Sequence, residues 1–347
     1  VFYGRFQSPE VHVILSLALA SWFEPALAAG FEAKTMRAPL SSAEVERPLV
    51  IGRGWMELGL GADLKDATGA WSNDGDLVPF DAARWRYATG RVGVRYGITR
   101  AGELWASVPY HYVHLTNDAL GTDTSDNGLG DPSFGWKFEW MRANDASRVP
   151  TASLVTELSF RVPAGKEAPG SFIGGPNTVE SFVMSTGTTD IDLTVRGRKR
   201  VGAVAVTGAI GYNRRTAGVT QFVVETKNRQ FGGRFKPGDE FHASVEPMVQ
   251  LGPVAVGAAA AFRHRQDAAV GTTSGGLLMN RNLDTIEDSG GLMLDVKPAL
   301  VVNATRSLDV RAQVGIPVMG EGLAFFPLET ITPTYGLTYS GTLAFRY

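Results

Sequence analysis

The segment TYGLTYSGTLAFRY, residues 334–347, decides how this chain is read. In an extended strand it sets Tyr335, Leu337, Tyr339, Leu343, Phe345 and Tyr347 on one face and Gly336, Thr338, Ser340, Thr342 and Arg346 on the other. In a soluble domain the final residues usually fray, and an apolar face needs something to cover it. In a bacterial outer-membrane barrel lipid covers the apolar side and a wet lumen meets the polar side. The reading stands or falls on whether the pattern recurs.

From Gly54 onward it recurs. Met56, Leu58, Leu60, Ala62 and Leu64 alternate with Glu57, Gly59, Gly61 and Asp63, and Phe134, Trp136, Phe138 and Trp140 alternate with Ser133, Gly135, Lys137 and Glu139. Similar alternation marks ten further stretches, ending with 308–316 and the terminal segment. The count is about twelve, an even number as single-chain bacterial barrels require. Connections alternate in length: long at 65–84, 116–128, 163–188, 214–239, 266–289 and 318–333, short at 98–102, 198–202, 252–253 and 304–306, with 142–150 between. A soluble sandwich has no reason to keep one end short throughout. The prediction is an all-β fold: a transmembrane antiparallel up-and-down β-barrel of about twelve strands over 54–347, with short periplasmic turns and long extracellular loops.

Composition agrees. Mean hydropathy is −0.03, which excludes a helical membrane bundle but not a barrel, whose strands average out. A formal charge of −2 gives no basic field for nucleic acid. There are no cysteines, which removes disulfides and thiolate chemistry and suits an exported chain. The apolar run VHVILSLALASWF, residues 11–23, precedes Pro25 and Ala26-Leu27-Ala28, so residues 1–29 read as a secretory signal; a buried core helix is the alternative. Residues 30–53 read as a periplasmic segment or a plug, with Ser41 to Glu44 as a capping box and Pro48 ending any helix.

Outward Trp85, Tyr87, Trp136, Trp140, Tyr212, Tyr335 and Tyr347 are expected to form aromatic girdles at the membrane interfaces. Pro109, Pro247 and Pro298 interrupt strand patterns and are expected at bulges or strand ends, because each deletes a ladder hydrogen bond.

Two runs carry a family resemblance. YGITRAGELWASVPY (96–110) and GLGDPSFGWKFEW (128–140) resemble a strand-turn-strand and a Gly-x-Gly-Asp strand of the outer-membrane transporters named for the phenol-degradation meta-pathway, relatives of the long-chain fatty-acid channel. The second maps onto Gly128, Gly130, Asp131 and the lumenal Lys137. The resemblance implies a channel for small hydrophobic or aromatic compounds. The terminal aromatic strand also resembles the signal read by the barrel-assembly machinery.

The inward positions hold both signs. Asp131, Glu139, Glu157, Asp190, Asp192, Glu240, Glu246, Asp295 and Asp309 face Arg91, Arg95, Lys137, Arg161, Arg196, Arg263, Arg265, Lys297 and Arg311. They serve either as ion pairs that fill a modest barrel or as a polar constriction that selects solutes. The balance of signs argues against strong charge selectivity. A small cavity below the external loops is expected rather than an open hole, with Phe172, Ile173, Phe182, Met184, Phe325 and Phe326 at its mouth or packed on the rim.

His242-Ala243-Ser244 has the spacing of an outer-membrane phospholipase pair, but both side chains aim at the lumen rather than at lipid. His111 and His114 point to opposite faces, so no metal site is expected, and no cofactor. The reading is a monomeric bacterial outer-membrane channel for passive uptake of small hydrophobic or aromatic molecules, partnered by outer-membrane lipid. A lipid-cleaving barrel and a closed structural or adhesion barrel are the alternatives.

Overall fold

The computed structural model describes residues 41–347 apart from 73, 81–82, 119–120, 166–184, 186, 225–228, 273–282, 286, 288–289 and 323–333; for 122, 219–224, 229–235, 270–272, 284 and 334–335 it describes the backbone alone. Among these residues twelve strands form one wall. They are β1 (Met56–Ala67), β2 (Ala83–Gly97), β3 (Gly102–Asn117), β4 (Ser133–Asn144), β5 (Pro150–Arg161) and β6 (Asp190–Val201), then β7 (Val204–Arg215), β8 (Glu240–Leu251), β9 (Val254–Arg265), β10 (Gly291–Asn303), β11 (Leu308–Glu321) and β12 (Thr338–Arg346). Each pairs antiparallel with its chain neighbour, and β12 returns to β1 with Glu57 opposite Arg346 and Lys65 opposite Thr338. The sheet is closed.

The alternation sorts residues by solvent. Val310, Leu343, Leu60, Val92 and Val108 lie side by side across β11, β12, β1, β2 and β3, and all five are exposed on the outer face. A continuous apolar belt of this kind does not face water on a soluble monomer. Facing lipid, it is what a transmembrane barrel requires, and closure satisfies the backbone groups that hydrocarbon cannot. The fold is an outer-membrane β-barrel, and the bacterial outer membrane is where it resides.

Among the described residues the connections at one end are short: 98–101, 145–149, 202–203, 252–253 and 304–307. Two are two-residue hairpins whose first residues, Gly202 and Gly252, take φ of 59° and 64°. That left-handed backbone suits glycine and matches the twist of the flanking strands. At the other end strands continue beyond the belt. Thr122–Leu129 pairs with Tyr110–Asn117 and prolongs the line of β4 after a break at Gly130-Asp131-Pro132. Most of the long connection read over 116–128 is therefore strand: the upper edge of β3 offers a template, and the Thr/Asp alternation accepts it. Gly218–Val224, Arg229–Lys236, Ala269–Thr272 and Asp284–Thr285 make a separate four-stranded sheet.

The girdle needs one correction. Trp136, Trp140, Tyr212 and Tyr347 are exposed on the outer face. Trp85 and Tyr87 instead pack inside on Val113 and Leu115. They share the odd-numbered face of β2 with Arg91 and Arg95, and no register shift intervenes to turn them outward. The side chain of Tyr335 lies outside the described residues. So do Phe172, Ile173, Phe182, Met184, Phe325 and Phe326.

The prolines occupy gaps in ladders inside strands, not strand ends. Between β8 and β9 pairing passes from Val245–Ala260 to Met248–Gly257, stepping over Pro247 with no change of register. Between β10 and β11 it passes from Val296–Ile316 to Ala299–Gln313, stepping over Pro298. Pro109 lies where β3 changes partner from β4 to Thr122–Leu129. The missing N–H groups therefore fall where the ladder is already open on one side.

Replacing Leu60 by Arg places a cation near the middle of the lipid-facing row. It is expected to destabilise the barrel by about 2–4 kcal/mol. Urea unfolding in lipid vesicles, read against the wild-type midpoint, measures this; an unchanged midpoint means that the face does not meet lipid.

Candidate functional site: the barrel lumen

The inward row is polar, and it is paired. At the periplasmic end Arg95 grips Glu103 with two nitrogens, Nε to Oε1 at 2.7 Å and Nη2 to Oε2 at 2.8 Å, and gives Nη1 to Glu57 at 2.8 Å. Glu103 is fully buried and also takes Lys137 Nζ at 3.1 Å. Glu57 takes Arg346 Nε at 2.5 Å, Arg346 pairs with Asp309, Asp309 accepts from Asn303, and Asn303 accepts from Gln250. One polar chain therefore passes through β4, β3, β2, β1, β12, β11, β10 and β8.

Residues 41–55 complete this layer from within. Glu44–Glu46 form one 3-10 turn, and Val45 buries itself among Ala205, Met248, Ala255 and Val301 of four strands. The capping box does not form: Ala43 holds the N-cap position without a side-chain hydrogen bond, and Ser41 Oγ donates to Glu46 instead. Pro48 follows directly on the C-cap Arg47, so the helix does stop there. Wall side chains hold the segment by its backbone. Arg198 donates to Arg47 O at 2.7 Å, Arg95 to Leu49 O at 3.3 Å and Arg142 to Val50 O at 3.4 Å, while Ile51 N donates to Glu103 at 2.8 Å. Val50 and Ile51 are buried. Arg47 pairs with Asp309, and burial together with the neighbouring Arg346 guanidinium pushes it down to about 10, where it is still a cation at neutral pH.

The other inward charges pair locally, those of Arg196 and Glu139 level with Lys137 or below it and those of Arg91 and beyond higher in the lumen. Arg196 meets Glu157 at 3.0 Å, Glu139 meets Arg142 at 2.5 Å and Arg91 meets Asp63 at 2.6 Å. Asp295 takes both Arg263 at 3.3 Å and Lys297 at 3.5 Å on one oxygen. Arg311 of β11 reaches Glu246 of β8, a chord past two intervening strands. At the extracellular rim Arg161 pairs with Asp190, Arg215 lies 3.8 Å from Asp190 and 3.5 Å from Glu240, and Arg265 is buried at the end of β9. Beside them burial raises the Asp239 carboxyl, but the Arg215 N–H, Lys236 and Tyr212 outweigh this and hold it below the usual carboxylate range.

Asp131 does not stand free in the lumen. It sits buried in the break between β4 and Thr122–Leu129 and accepts the backbone N–H groups of Ala164 and Gly165, both at 3.1 Å. Gly130 beside it is required by space: a Cβ there would lie 2.2 Å from the His111 ring. The Gly-Asp pair thus fastens the start of one loop to the base of another. His242 Nε2 lies 2.7 Å from Asp192 and 3.5 Å from Thr194; among the described residues its polar partners are these two and not Ser244. His111 and His114 stand on opposite faces, His111 with Thr89 and His114 with Asp123.

Sequence reasoning missed Glu57, Glu103, Arg346, Arg198 and Arg215 as members of this network. The signal was present, since each keeps the inward parity of its strand.

Between the lower layer and the rim lies a cavity of about 430 Å³, walled by β1, β2, β3, β9, β10, β11 and β12. Tyr87 of β2 and Val113 of β3 give it apolar surface on one side and Met293 of β10 on another, with the hydroxyls of Thr338, Ser340 and Thr342 on β12 between them. Its volume falls in the range of small-molecule sites.

Removing Glu103 leaves Arg95 and Lys137 without their shared carboxylate. Glu103→Ala is expected to destabilise the barrel by about 3–5 kcal/mol, as loss of one partner from a buried pair does. It is also expected to free residues 41–55 from the wall, so that unfolding in urea and protease cleavage within that segment both rise.

No protein-family profile matches the chain. No curated protein matches it by sequence. Solved structures do. The COG4313 outer membrane channel from Pseudomonas putida F1 is similar at 13% identity and TM-score 0.64, covering 88% of this chain and 98% of that one. A TodX monoaromatic hydrocarbon channel variant aligns at 8% identity and TM-score 0.46, over 84% of this chain and 89% of that one. The transport unit of the autotransporter AIDA-I from Escherichia coli aligns at 11% and 0.46, with the same coverages. The first of these likenesses establishes a shared fold, that of an outer-membrane barrel.

Proposed function

We propose that the protein is a passive outer-membrane channel for small hydrophobic or aromatic molecules. The observation that carries this is the cavity of about 430 Å³ inside a closed barrel, with apolar surface from Tyr87 and Val113 on one side and from Met293 on another. A sealed structural barrel has no use for a half-apolar chamber within a polar lumen. The resemblance of 96–110 and 128–140 to transporters named for the phenol-degradation meta-pathway supports that solute class, and a fold shared with a protein described as an outer membrane channel fits the channel half of the reading. Residues 41–53 act in this reading as the periplasmic restriction, held by arginines whose partners are main-chain oxygens. The strand 338–346 is the part we propose the barrel-assembly machinery reads.

The lipid-cleaving alternative is less well supported, because His242 is engaged by Asp192 within the lumen and makes no hydrogen bond to Ser244 among the described residues.

Deletion of 41–53 tests the reading. The full chain in a planar bilayer is expected to give small conductance steps, and the deletion severalfold larger ones. Cells carrying the protein should accumulate phenol or toluene faster than cells without it. A silent bilayer for both proteins, with equal uptake, would leave the closed structural barrel as the better account.

A further inference from the structure

The lumen is balanced in sign over its whole length, but the cavity is not. Among the described residues five cations line it, Lys65, Arg91, Arg263, Lys297 and Arg311, against two carboxylates, Asp63 and Asp295. Arg91 is neutralised by Asp63, and Arg311 by Glu246 from outside the cavity wall. Lys297 shares the carboxylate Asp295 with Arg263, which has a further interaction besides. Lys65 reaches toward these same three groups from β1 and, among the described residues, makes no ion pair of its own. Lys65 therefore joins two cations that already meet Asp295, and among the described residues it has no ion-pair partner. Like charges gathered this way repel, and a low-dielectric barrel wall screens them poorly. An anion entering the cavity relieves that repulsion.

The neighbours of Lys65 narrow the choice of anion. Tyr87 lies directly opposite Lys65 in the β1–β2 register. Its ring stacks on Trp85, with centroids 6.1 Å apart and planes 12° from parallel, and packs on the buried Val113. Met293, opposite Arg263 in the β9–β10 register, is buried and lines the same space. Apolar surface on two sides of the cavity thus stands beside an excess of positive charge. A ring that lies on the first and a charged group that meets the second fill both needs.

We propose that the cavity is a binding site for small aromatic carboxylates, with Lys65, Arg263 and Lys297 holding the carboxylate and Tyr87 and Met293 the ring. This deepens the channel reading and rests on it for biological use, since it names the solute that the chamber selects.

Calorimetric titration of the full chain in detergent tests it with four probes: benzoate, its neutral isostere benzamide, the cation benzylammonium, and acetate. Benzoate is expected to bind at least about tenfold tighter than each of the others. Lys65→Gln and Lys297→Gln are each expected to weaken benzoate by about tenfold and leave benzamide unchanged, while Lys199→Gln, on the outer face, changes neither. Heat-dependent electrophoretic mobility confirms that each variant is a folded barrel. Equal affinity for benzoate and benzamide, or full affinity for benzoate in both cavity variants, overturns the proposal; acetate binding as well as benzoate overturns the aromatic half. Liposome swelling with a neutral aromatic solute separates the two readings. No swelling with benzoate still bound removes the channel and leaves the site, whereas normal swelling with no preference for benzoate removes the site and leaves the channel.

Discussion

Hydrocarbon offers no hydrogen bonds, and the rest of this molecule follows from that. Each peptide group in the lipid-facing wall needs a partner within the sheet, so the sheet must return upon itself. With every neighbouring pair antiparallel, the return requires an even strand count, and lipid outside with water inside divides each strand into an oily and a wet row. It also explains why the prolines sit where they do. A residue with no N–H is tolerated at Pro247 and Pro298 because the ladder there already lacks a pair on one side.

The division into rows makes the inner side chains a crowd of opposite charges in a narrow tube. Alone, each buried charge is expensive; paired, it is tolerated, and a web of pairs holds the tube to one shape. Arg95 illustrates the economy of the arrangement, since one guanidinium satisfies Glu103, Glu57 and the carbonyl of Leu49. The same residue joins the wall to the N-terminal segment. The lower lumen is therefore both scaffold and obstruction, and the chamber above it is the space in which a solute can be held.

Much of this was legible in the sequence, and what escaped has a physical reason. The alternation located the twelve strands and the inward row, because period two is a local property of the chain. Trp85 and Tyr87 were assigned to lipid on residue type, although they share parity with Arg91 and Arg95, and parity was the stronger signal. Which charge meets which was not legible. The Arg311–Glu246 chord joins residues 65 apart in the chain, and no pattern along one strand announces it. The extra strand Thr122–Leu129 escaped for a similar reason: a Thr-, Asp- and Asn-rich run reads as a turn until a neighbouring edge is there to pair with it.

The pairing of β12 with β1 bears on how the molecule is made. Glu57 and Arg346 meet across residues almost three hundred positions apart in the chain, with Leu58 on Phe345 and Leu60 on Leu343 beside them. The first strand therefore waits, with one side bare, until the last has been synthesised and delivered. No partial ring is a smaller version of the finished one, so assembly includes a late closing event in which the two ends meet.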